Sequence, residues 1–414
     1  MPFCPITSGC NPFPGKAHRV EVTLQRQLPR NMEYTSTYHS LRTQFDLSAD
    51  EIRFTGSNIS CRTFSFTSEV NNGMLSAFNG SQAYDDLFLL PDDRIFENQS
   101  FTYPVFLPGT KARYSRAIIL LHGLNERNWT KYLTWAYYLA EQTGSPVILF
   151  PIAFHMNRSP QTWSNPRLMS AMLMQRSGHL GDVPGASFAN LALSNRLTDN
   201  PQRFATSGRQ SAGDLEKLVR QIVTGNHPLF EKGTNIDLFA YSIGAFLAQI
   251  IMLSNPGGYF TDSRLFMFCG GAFFDQMDGT SKLIMDKNAF DSLRKYYIHD
   301  LGTSDDPQPG LAEYLKNTRL GMAFTAMLAS GKLKSFRDSV FEKLKSQISA
   351  IVLKNDKVIP AYGTFEAIKS GIEMMDFPFD YSHEVPFPVG EQGISVKVDA
   401  AFREVFSKAS DFLR

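Results

Sequence analysis

The sequence contains 414 residues, of which 43% are hydrophobic and 20% are charged. This composition excludes an intrinsically disordered chain and allows one large core or two moderate ones. Lysine and arginine together number 41, against 40 aspartate and glutamate residues. The chain therefore has no overall charge that favours nucleic acid or an anionic membrane surface, and we expect no nucleic-acid partner.

The four cysteines form neither CxxC pairs nor a disulfide framework, so we expect free thiols in a reducing compartment. Two prolines lie within the first five residues, and no apolar segment follows that could serve as a secretory signal. There is also no run of about eighteen apolar residues, the length that spans a bilayer. These features predict a cytoplasmic protein without a membrane span.

Residues 1–100 show short alternating patterns that are typical of strands, at 18–24 and 62–67, between clusters of Gly, Asn, Ser and Asp. No sustained helical period occurs in this range. We predict an N-terminal extension, irregular or rich in β-structure, that precedes the main domain.

From residue 101 onwards the pattern changes to alternating strands and helices. Continuous apolar runs between turn residues predict buried strands, and apolar residues at helical spacing predict the helices that connect them. The predicted strands cover residues 117–121, 147–152, 236–241, 265–268 and 348–353. This alternation predicts a doubly wound, mostly parallel α/β sheet over residues 101–414.

Two segments are longer than ordinary connections between strands and helices. Residues 154–206 carry few periodic signals, whereas residues 272–345 are rich in helical pattern. Both follow the carboxyl ends of predicted strands, where open α/β sheets bind their ligands. We predict that both are insertions that act as lids.

Ser242 lies between a predicted strand and a predicted helix, in the sequence IDLFAYSIGAFLAQ. A serine at such a turn adopts a strained backbone conformation that exposes its hydroxyl above the sheet, and the turn requires small neighbours. Ala240 and Gly244 are small enough. The pentapeptide alone is equally compatible with a small residue in a tight turn, so a base and an orienting acid must be found elsewhere.

Four motifs resemble those of the α/β-hydrolase superfamily. The A-x-S-x-G turn resembles its nucleophile elbow, with Ala240 in place of the usual first glycine. NDKVIP, which contains Asp356, resembles its acid loop, and His383 follows the last predicted strand, where the superfamily keeps its general base. ILLHGLN, which contains Leu124, resembles its oxyanion loop.

This resemblance covers about residues 101–414 and implies a fold and a set of roles. Ser242 would be the nucleophile, His383 the general base and Asp356 the acid, in the chain order of the superfamily. The backbone N–H groups of Ile243, at the start of the helix, and of Leu124 would bind the oxyanion. Asp275, which follows an earlier strand, is an alternative acid.

The expected function is cleavage of an ester or related acyl bond of a small molecule. An acyltransferase that uses the same triad, or an inactive binding protein with this fold, remains an alternative. No metal-binding or phosphate-binding motif occurs, so we expect no cofactor and no metal. The side chains expected to line the substrate pocket are those of His155, Trp163, Phe273 and Phe274.

Overall fold

The computed structural model describes residues 33–69, 90–391 and 393–414. Nine strands are described: β1 (Glu51–Arg53), β2 (Ile59–Thr67), β3 (Ser100–Pro108), β4 (Tyr114–Leu121), β5 (Val147–Leu149), β6 (Phe230–Tyr241), β7 (Leu265–Phe268), β8 (Ile348–Leu353) and β9 (Ile372–Met375). The helices in this part of the chain are α1 (Tyr34–Gln44), α2 (Phe96–Gln99), α3 (Thr130–Thr143), α4 (Pro166–Leu180), α5 (Leu191–Asp199), α6 (Arg203–Val223), α7 (Ile243–Ser254), α8 (Lys287–Arg294), α9 (Pro309–Asn317), α10 (Arg319–Leu328), α11 (Lys334–Leu344), α12 (Ala361–Ile368) and α13 (Ser395–Leu413).

The strands form one sheet in the order β1-β2-β3-β5-β4-β6-β7-β8-β9. The first three strands are antiparallel, and β3 is also antiparallel to β5. The remaining neighbours from β5 through β9 are parallel. The predicted fold class is confirmed, because this is a mostly parallel α/β sheet with the strand order of the α/β-hydrolase fold.

Strand β6 contacts helices on both faces of the sheet. Its successive side chains point to opposite faces, so each face packs against a different layer of helices. Phe239 stacks on Phe406 of α13, and the ring of Tyr241 lies edge-on to Trp135 of α3. Leu238 and Ala240 belong to the cluster that contains the buried side chains of α6 and α7. Burial on both faces explains why the strand has an almost continuous apolar sequence near its end.

Two strands lie in the range that the sequence assigned to the N-terminal extension. The pattern predicted at 62–67 falls within β2, which pairs with β3 from Ile59↔Pro108 to Thr67↔Ser100. This pairing joins residues on the two sides of the predicted division at 100 and 101. The other predicted strand, at 18–24, lies outside the described residues.

Helix α1 also lies in that range, although the sequence showed no helical period there. Only Tyr34 and Leu41 of this helix are buried. Tyr34 stacks on Phe402 of α13 with ring centroids 4.4 Å apart. The N–H of Thr35 donates to Asp399 of the same helix at 2.8 Å. Contacts with α13, rather than amphipathic spacing, therefore hold α1 in place.

Both predicted insertions contain helices, including the first, for which the sequence gave few periodic signals. Asn165 caps α4 by accepting the N–H groups of Arg167 and Leu168. In the second insertion, Asp286 caps α8 through the N–H of Ala289. The buried carboxylate of Asp286 also pairs with Arg176 of α4, so this cap links the two insertions.

Two further sequence predictions concern the described residues. Cys61 and Cys269 are free thiols, as predicted, whereas Cys4 and Cys10 lie outside the described residues. Among the helices described, none is both long and apolar enough to cross a membrane.

His227 is a buried histidine that stays neutral in the core. Its Nδ1 accepts the N–H of Leu229 at 3.2 Å, and its Nε2–H donates to the Tyr103 hydroxyl at 3.0 Å. Burial lowers the pKa of His227 to about 4, from an ordinary value of 6.5. Folding therefore stabilises the neutral form of this residue.

We expect His227 to make the fold less stable as the pH falls from 6.5 towards 4. The unfolded chain binds a proton in this range that the folded chain does not, so acid favours unfolding. The contribution is at most about 3 kcal/mol. Urea unfolding of the wild type and His227→Gln between pH 7 and 4.5 measures it. A variant with the same pH slope as the wild type would contradict this role.

Candidate active site

Ser242 occupies the turn between β6 and α7 with φ 57° and ψ −124°. A positive φ is strained for a residue that carries a side chain. The turn also brings its backbone very close to neighbouring chain segments. A Cβ atom on Gly244 would lie 2.6 Å from the carbonyl oxygen of Leu121, and one on Gly270 would lie 2.4 Å from the Cβ of Ala245. Glycine is therefore required at both positions.

Ala240 stands where the usual elbow motif has glycine. It is fully buried and lies in the sheet, in register with Leu121 of β4 and Met267 of β7. Its Cβ packs in the apolar cluster below the turn. The sheet thus accommodates the alanine without any change in the elbow conformation of Ser242.

Ser242, His383 and Asp356 form a continuous chain of hydrogen bonds. The hydroxyl of Ser242 lies 2.6 Å from Nε2 of His383, and Nδ1 of His383 lies 2.7 Å from Oδ2 of Asp356. Their exposed fractions are only 5%, 3% and 5%, respectively. With the imidazole proton on Nδ1, the ring donates to the carboxylate and accepts from the serine. This arrangement can remove a proton from the serine hydroxyl.

Asp356 lies just after β8, and its second carboxylate oxygen is held by the backbone. Oδ1 accepts the N–H groups of Val358 and Ile359, both at 2.9 Å. The alternative acid, Asp275, lies instead in the short turn Phe274–Gln276. Burial and the nearby Glu366 raise the pKa of Asp275. In the described structure it is Asp356, and not Asp275, that contacts His383.

Tyr241, to which the sequence assigned no role, contacts His383 through both its hydroxyl and its ring. Its hydroxyl donates to the backbone carbonyl of His383, and the two rings stack with centroids 5.5 Å apart. The next residue, Glu384, accepts a hydrogen bond from Ser281 of the second insertion. The loop that carries the histidine is therefore fixed from two sides. The only signal for Tyr241 in the sequence was its position immediately before Ser242.

The loop after β4 is held by a network of buried side chains. The N–H of Gly123 donates to the Tyr132 hydroxyl at 2.9 Å, and this hydroxyl donates to Glu126 at 2.9 Å. His122 donates from Nδ1 to the carbonyl of Gly123 and accepts the N–H of Ile152 at Nε2. Burial, reinforced by the neighbouring His155, keeps the pKa of His122 well below its ordinary value. His122 is thus a neutral residue that supports the loop.

Leu124 and Ile243 lie beside Ser242 in the wall of one cavity. As the first residue of α7, Ile243 has no acceptor within the helix for its N–H. The N–H of Leu124 has no backbone acceptor among the described residues either. Two unused donors therefore lie next to the serine, where an oxyanion would form.

The cavity next to Ser242 is lined almost entirely by apolar side chains. Phe274, one of the side chains expected to line the substrate pocket, lies in its wall. His155 and Trp163 line a neighbouring cavity. Phe273 lies in the wall of neither cavity and packs against Arg337, with the guanidinium 4.5 Å from the ring centroid. Leu124 and Phe204 belong to both walls.

Residues 32–414 match the model of a family described as a family of unknown function, DUF6051. The chain belongs to this family. No curated protein matches the sequence.

Several solved structures resemble this DUF6051 protein over most of its length. A thermostable esterase from Pseudomonas putida is 12% identical, with a TM-score of 0.44, over 92% of this chain and 89% of the other. A carboxyl esterase from the fungus Tuber melanosporum is 8% identical, with a TM-score of 0.44, over 92% of this chain and 99% of the other. Acetyl xylan esterase 1 from a Thermoanaerobacterium species is 16% identical, with a TM-score of 0.37, over 91% and 92%.

Sequence reasoning about this DUF6051 protein missed several residues of the two cavities. Phe204, at the start of α6, separates them, and Arg127 lies in the wall of the second. Each carried no local signal, because its role depends on contacts between distant segments. Within the described ranges, no group of three or more His, Cys, Asp or Glu side chains is arranged to hold a metal ion.

Proposed function

We propose that this protein is a serine hydrolase that cleaves an ester or related acyl bond of a small molecule. The observation that supports this proposal is the hydrogen-bond chain from Ser242 through His383 to Asp356. A serine hydroxyl is a weak nucleophile unless a base removes its proton and a third group orients that base. All three groups lie within hydrogen-bond distance of their partners.

In the proposed reaction, Ser242 attacks the carbonyl carbon while His383 accepts the hydroxyl proton. The resulting tetrahedral intermediate carries a negative oxygen, which the N–H groups of Ile243 and Leu124 bind. Asp356 stabilises the imidazolium and holds it in the productive orientation. His383 then donates its proton to the leaving group, and an acyl-enzyme remains on Ser242. Water, activated by His383, hydrolyses the acyl-enzyme and restores the serine.

The cavity beside Ser242 favours an apolar acyl group. Its wall includes Met277, Phe290 and Leu293, and among the described residues that line it Ser242 alone has a polar side chain. Burying an acyl chain there would gain about 25 cal/mol per Å² of apolar surface. We therefore expect faster turnover for butyryl or hexanoyl esters than for acetyl esters.

Acyl transfer to an alcohol or amine would use the same triad, so products distinguish it from hydrolysis. Ester turnover in the absence of an acceptor supports hydrolysis, whereas turnover only with an added acceptor supports transfer. An inactive binding protein would need no aligned triad, and the distances between Ser242, His383 and Asp356 favour an active site.

Labelling with a fluorophosphonate probe tests the nucleophile directly. We expect the wild type to be labelled and Ser242→Ala to be unlabelled, because the probe reacts only with an activated serine. Labelling is measured by in-gel fluorescence and located by peptide mass spectrometry. Equal labelling of the two proteins would contradict the assignment of Ser242 as the nucleophile. Absence of labelling in both would support the inactive alternative.

Ser254→Ala is the matched control for this experiment. Ser254 is a buried serine at the other end of α7, where its hydroxyl donates to the carbonyl of Ile251 at 3.3 Å. Its replacement removes a buried hydroxyl from the same helix without affecting the triad. We expect Ser254→Ala to be labelled like the wild type.

A further inference from the structure

A second cavity adjoins the one that contains Ser242. It shares Leu124 and Phe204 with the first cavity. Because Leu124 supplies one of the proposed oxyanion donors, the second cavity begins next to the reacting carbonyl. A substrate that fills the apolar cavity can therefore extend into this one.

Arg127 lies in the wall of the second cavity without a carboxylate partner. Its Nη2 donates to Asn125 at 2.7 Å, and its Nη1 lies 3.4 Å from the Ser159 hydroxyl. No carboxylate among the described residues lies within ion-pair distance of it. Its Nε is buried and has no hydrogen-bond partner there. Burial lowers the pKa of Arg127 to about 10, so the side chain remains charged at neutral pH.

A buried guanidinium without a counter-ion is costly, because its charge is removed from water without compensation. The other two arginines of this wall differ, since Arg196 and Arg203 both pair with Asp92. Their shared carboxylate balances part of their charge, whereas Arg127 adds a positive charge that no described acid balances.

Trp163 supplies a second unused donor in the same wall. Its buried Nε1–H has no partner among the described residues. The Arg127 guanidinium lies 5.9 Å from the Trp163 ring centroid. His155 adds no charge, because its Nδ1 donates to the carbonyl of Ala153 at 2.8 Å and burial lowers its pKa to about 4. Arg127 is therefore the cationic side chain of this wall that has no acidic partner among the described residues.

We infer that this second cavity binds a carboxylate of the substrate, with Arg127 as its charged partner and Trp163 as a further donor. The substrate would then be an ester with an apolar part beside Ser242 and a carboxylate beyond Leu124. That the ligand is a substrate rests on the proposed hydrolase function, whereas binding of a carboxylate in the second cavity does not depend on that function. A carboxylate can accept hydrogen bonds from the guanidinium of Arg127, and the aromatic side chains Phe154, Trp163 and Phe204 fit an apolar carrier.

Binding is measured first, with full-length Ser242→Ala protein and the isosteric pair benzoate and benzamide. We expect benzoate to bind roughly tenfold to a hundredfold more tightly in isothermal titration calorimetry, the range of one charged hydrogen-bonded contact. Equal affinities for the two probes would overturn the carboxylate site. Tighter binding of phenyl phosphate than of benzoate would overturn the choice of a carboxylate and assign the site to a phosphate.

Substitutions in the same Ser242→Ala background assign the preference to Arg127. With Arg127→Met the preference for benzoate should disappear, and with Arg127→Lys, which keeps the charge, part of it should remain. Arg167→Met is the control, because Arg167 is exposed at the start of α4; it should retain the full preference. If Arg127→Met does not fold, Arg127→Lys alone decides. A preference of Arg127→Lys for benzoate that equals that of the Ser242→Ala parent would overturn the role of the Arg127 hydrogen bonds.

Turnover by the wild type then tests the class of substrate. One series places the carboxylate on the acyl side, comparing para-nitrophenyl pentanoate with mono-para-nitrophenyl glutarate. The other places it on the alcohol side, comparing butyryl esters of meta-hydroxybenzamide and meta-hydroxybenzoate. We expect kcat/KM to favour the charged ester roughly tenfold or more in one series.

The two proposals fail in different ways. If neutral esters are hydrolysed but neither charged ester is preferred, the carboxylate class is wrong while the hydrolase function stands. If benzoate binds in the Arg127-dependent way but no ester is hydrolysed by the wild type, the carboxylate site stands and the hydrolase function fails.

Discussion

Asp356→Asn should lower kcat for ester hydrolysis by about 10⁴-fold, whereas Asp275→Asn should keep kcat close to that of the wild type. Asp356 contacts Nδ1 of His383 at 2.7 Å, and we propose that it fixes the imidazole tautomer. Asp275 is half-buried in a short turn near the start of the second insertion, away from this contact. Each variant removes one negative charge. A loss of kcat in Asp356→Asn alone therefore cannot come from the change in net charge.

The size of this effect follows from the geometry around Asp356. Its Oδ1 accepts the N–H groups of Val358 and Ile359. An asparagine would keep its carbonyl oxygen there and direct its NH₂ group towards His383. The imidazole would then accept at Nδ1 and carry its proton on Nε2, which could no longer accept the proton of Ser242.

Steady-state kinetics with para-nitrophenyl butyrate measure both variants, and circular dichroism checks that each is folded. The KM of Asp356→Asn should change much less than its kcat, since the lost interaction acts in the transition state. A large loss in Asp275→Asn together with near-normal kcat in Asp356→Asn would contradict the assignment.

Much of the sheet could be predicted because its strands carry strong local signals. Residues 117–121 and 238–241 are continuous apolar runs, and both lie in central parallel strands, β4 and β6. The turn at Ser242 was recognisable because its backbone demands small neighbours, and Gly244 meets that demand. Asp356 and His383 were expected from their positions after predicted strands and from the resemblance to the superfamily, and the two side chains lie within hydrogen-bond distance of each other.

The remaining features depend on contacts between segments that are far apart in sequence. Helix α1 packs against α13 through Tyr34 and Phe402, more than 360 positions along the chain. Helix α5 packs mainly against α8 of the other insertion, and Arg176 of α4 pairs with Asp286 of that insertion. Arg127 looked like a loop residue, and only the folded chain shows that it lies in a cavity wall without an acidic partner.

The base of the first insertion depends on one buried ion pair. Arg158 and Asp214 of α6 pair at 2.8 Å, and both side chains are almost completely buried. The guanidinium also donates to the carbonyl of Pro151 after β5 and to the carbonyl of Asn98 in α2. It lies over the ring of Phe101, 4.1 Å from the centroid. Arg158 therefore connects four segments, of which α6 and the stretch after β5 supply wall residues of the second cavity.

Arg158→Met should lower the free energy of unfolding by about 3–5 kcal/mol, because it leaves Asp214 buried without its counter-ion. Urea unfolding measures this loss, and Lys287→Met, which breaks the exposed pair with Asp291, should cost no more than about 1 kcal/mol.

Arg158→Met combined with Asp214→Leu should be more stable than Arg158→Met alone, because the second change removes the unpaired charge. The pair would then matter less for stability than for the position of Arg158, which donates to the carbonyl groups of Asn98 and Pro151. If Asp214→Leu lowers the free energy of unfolding by the same amount in the Arg158→Met background as in the wild type, the two residues are not coupled. The loss in Arg158→Met would then come from its contacts with the backbone.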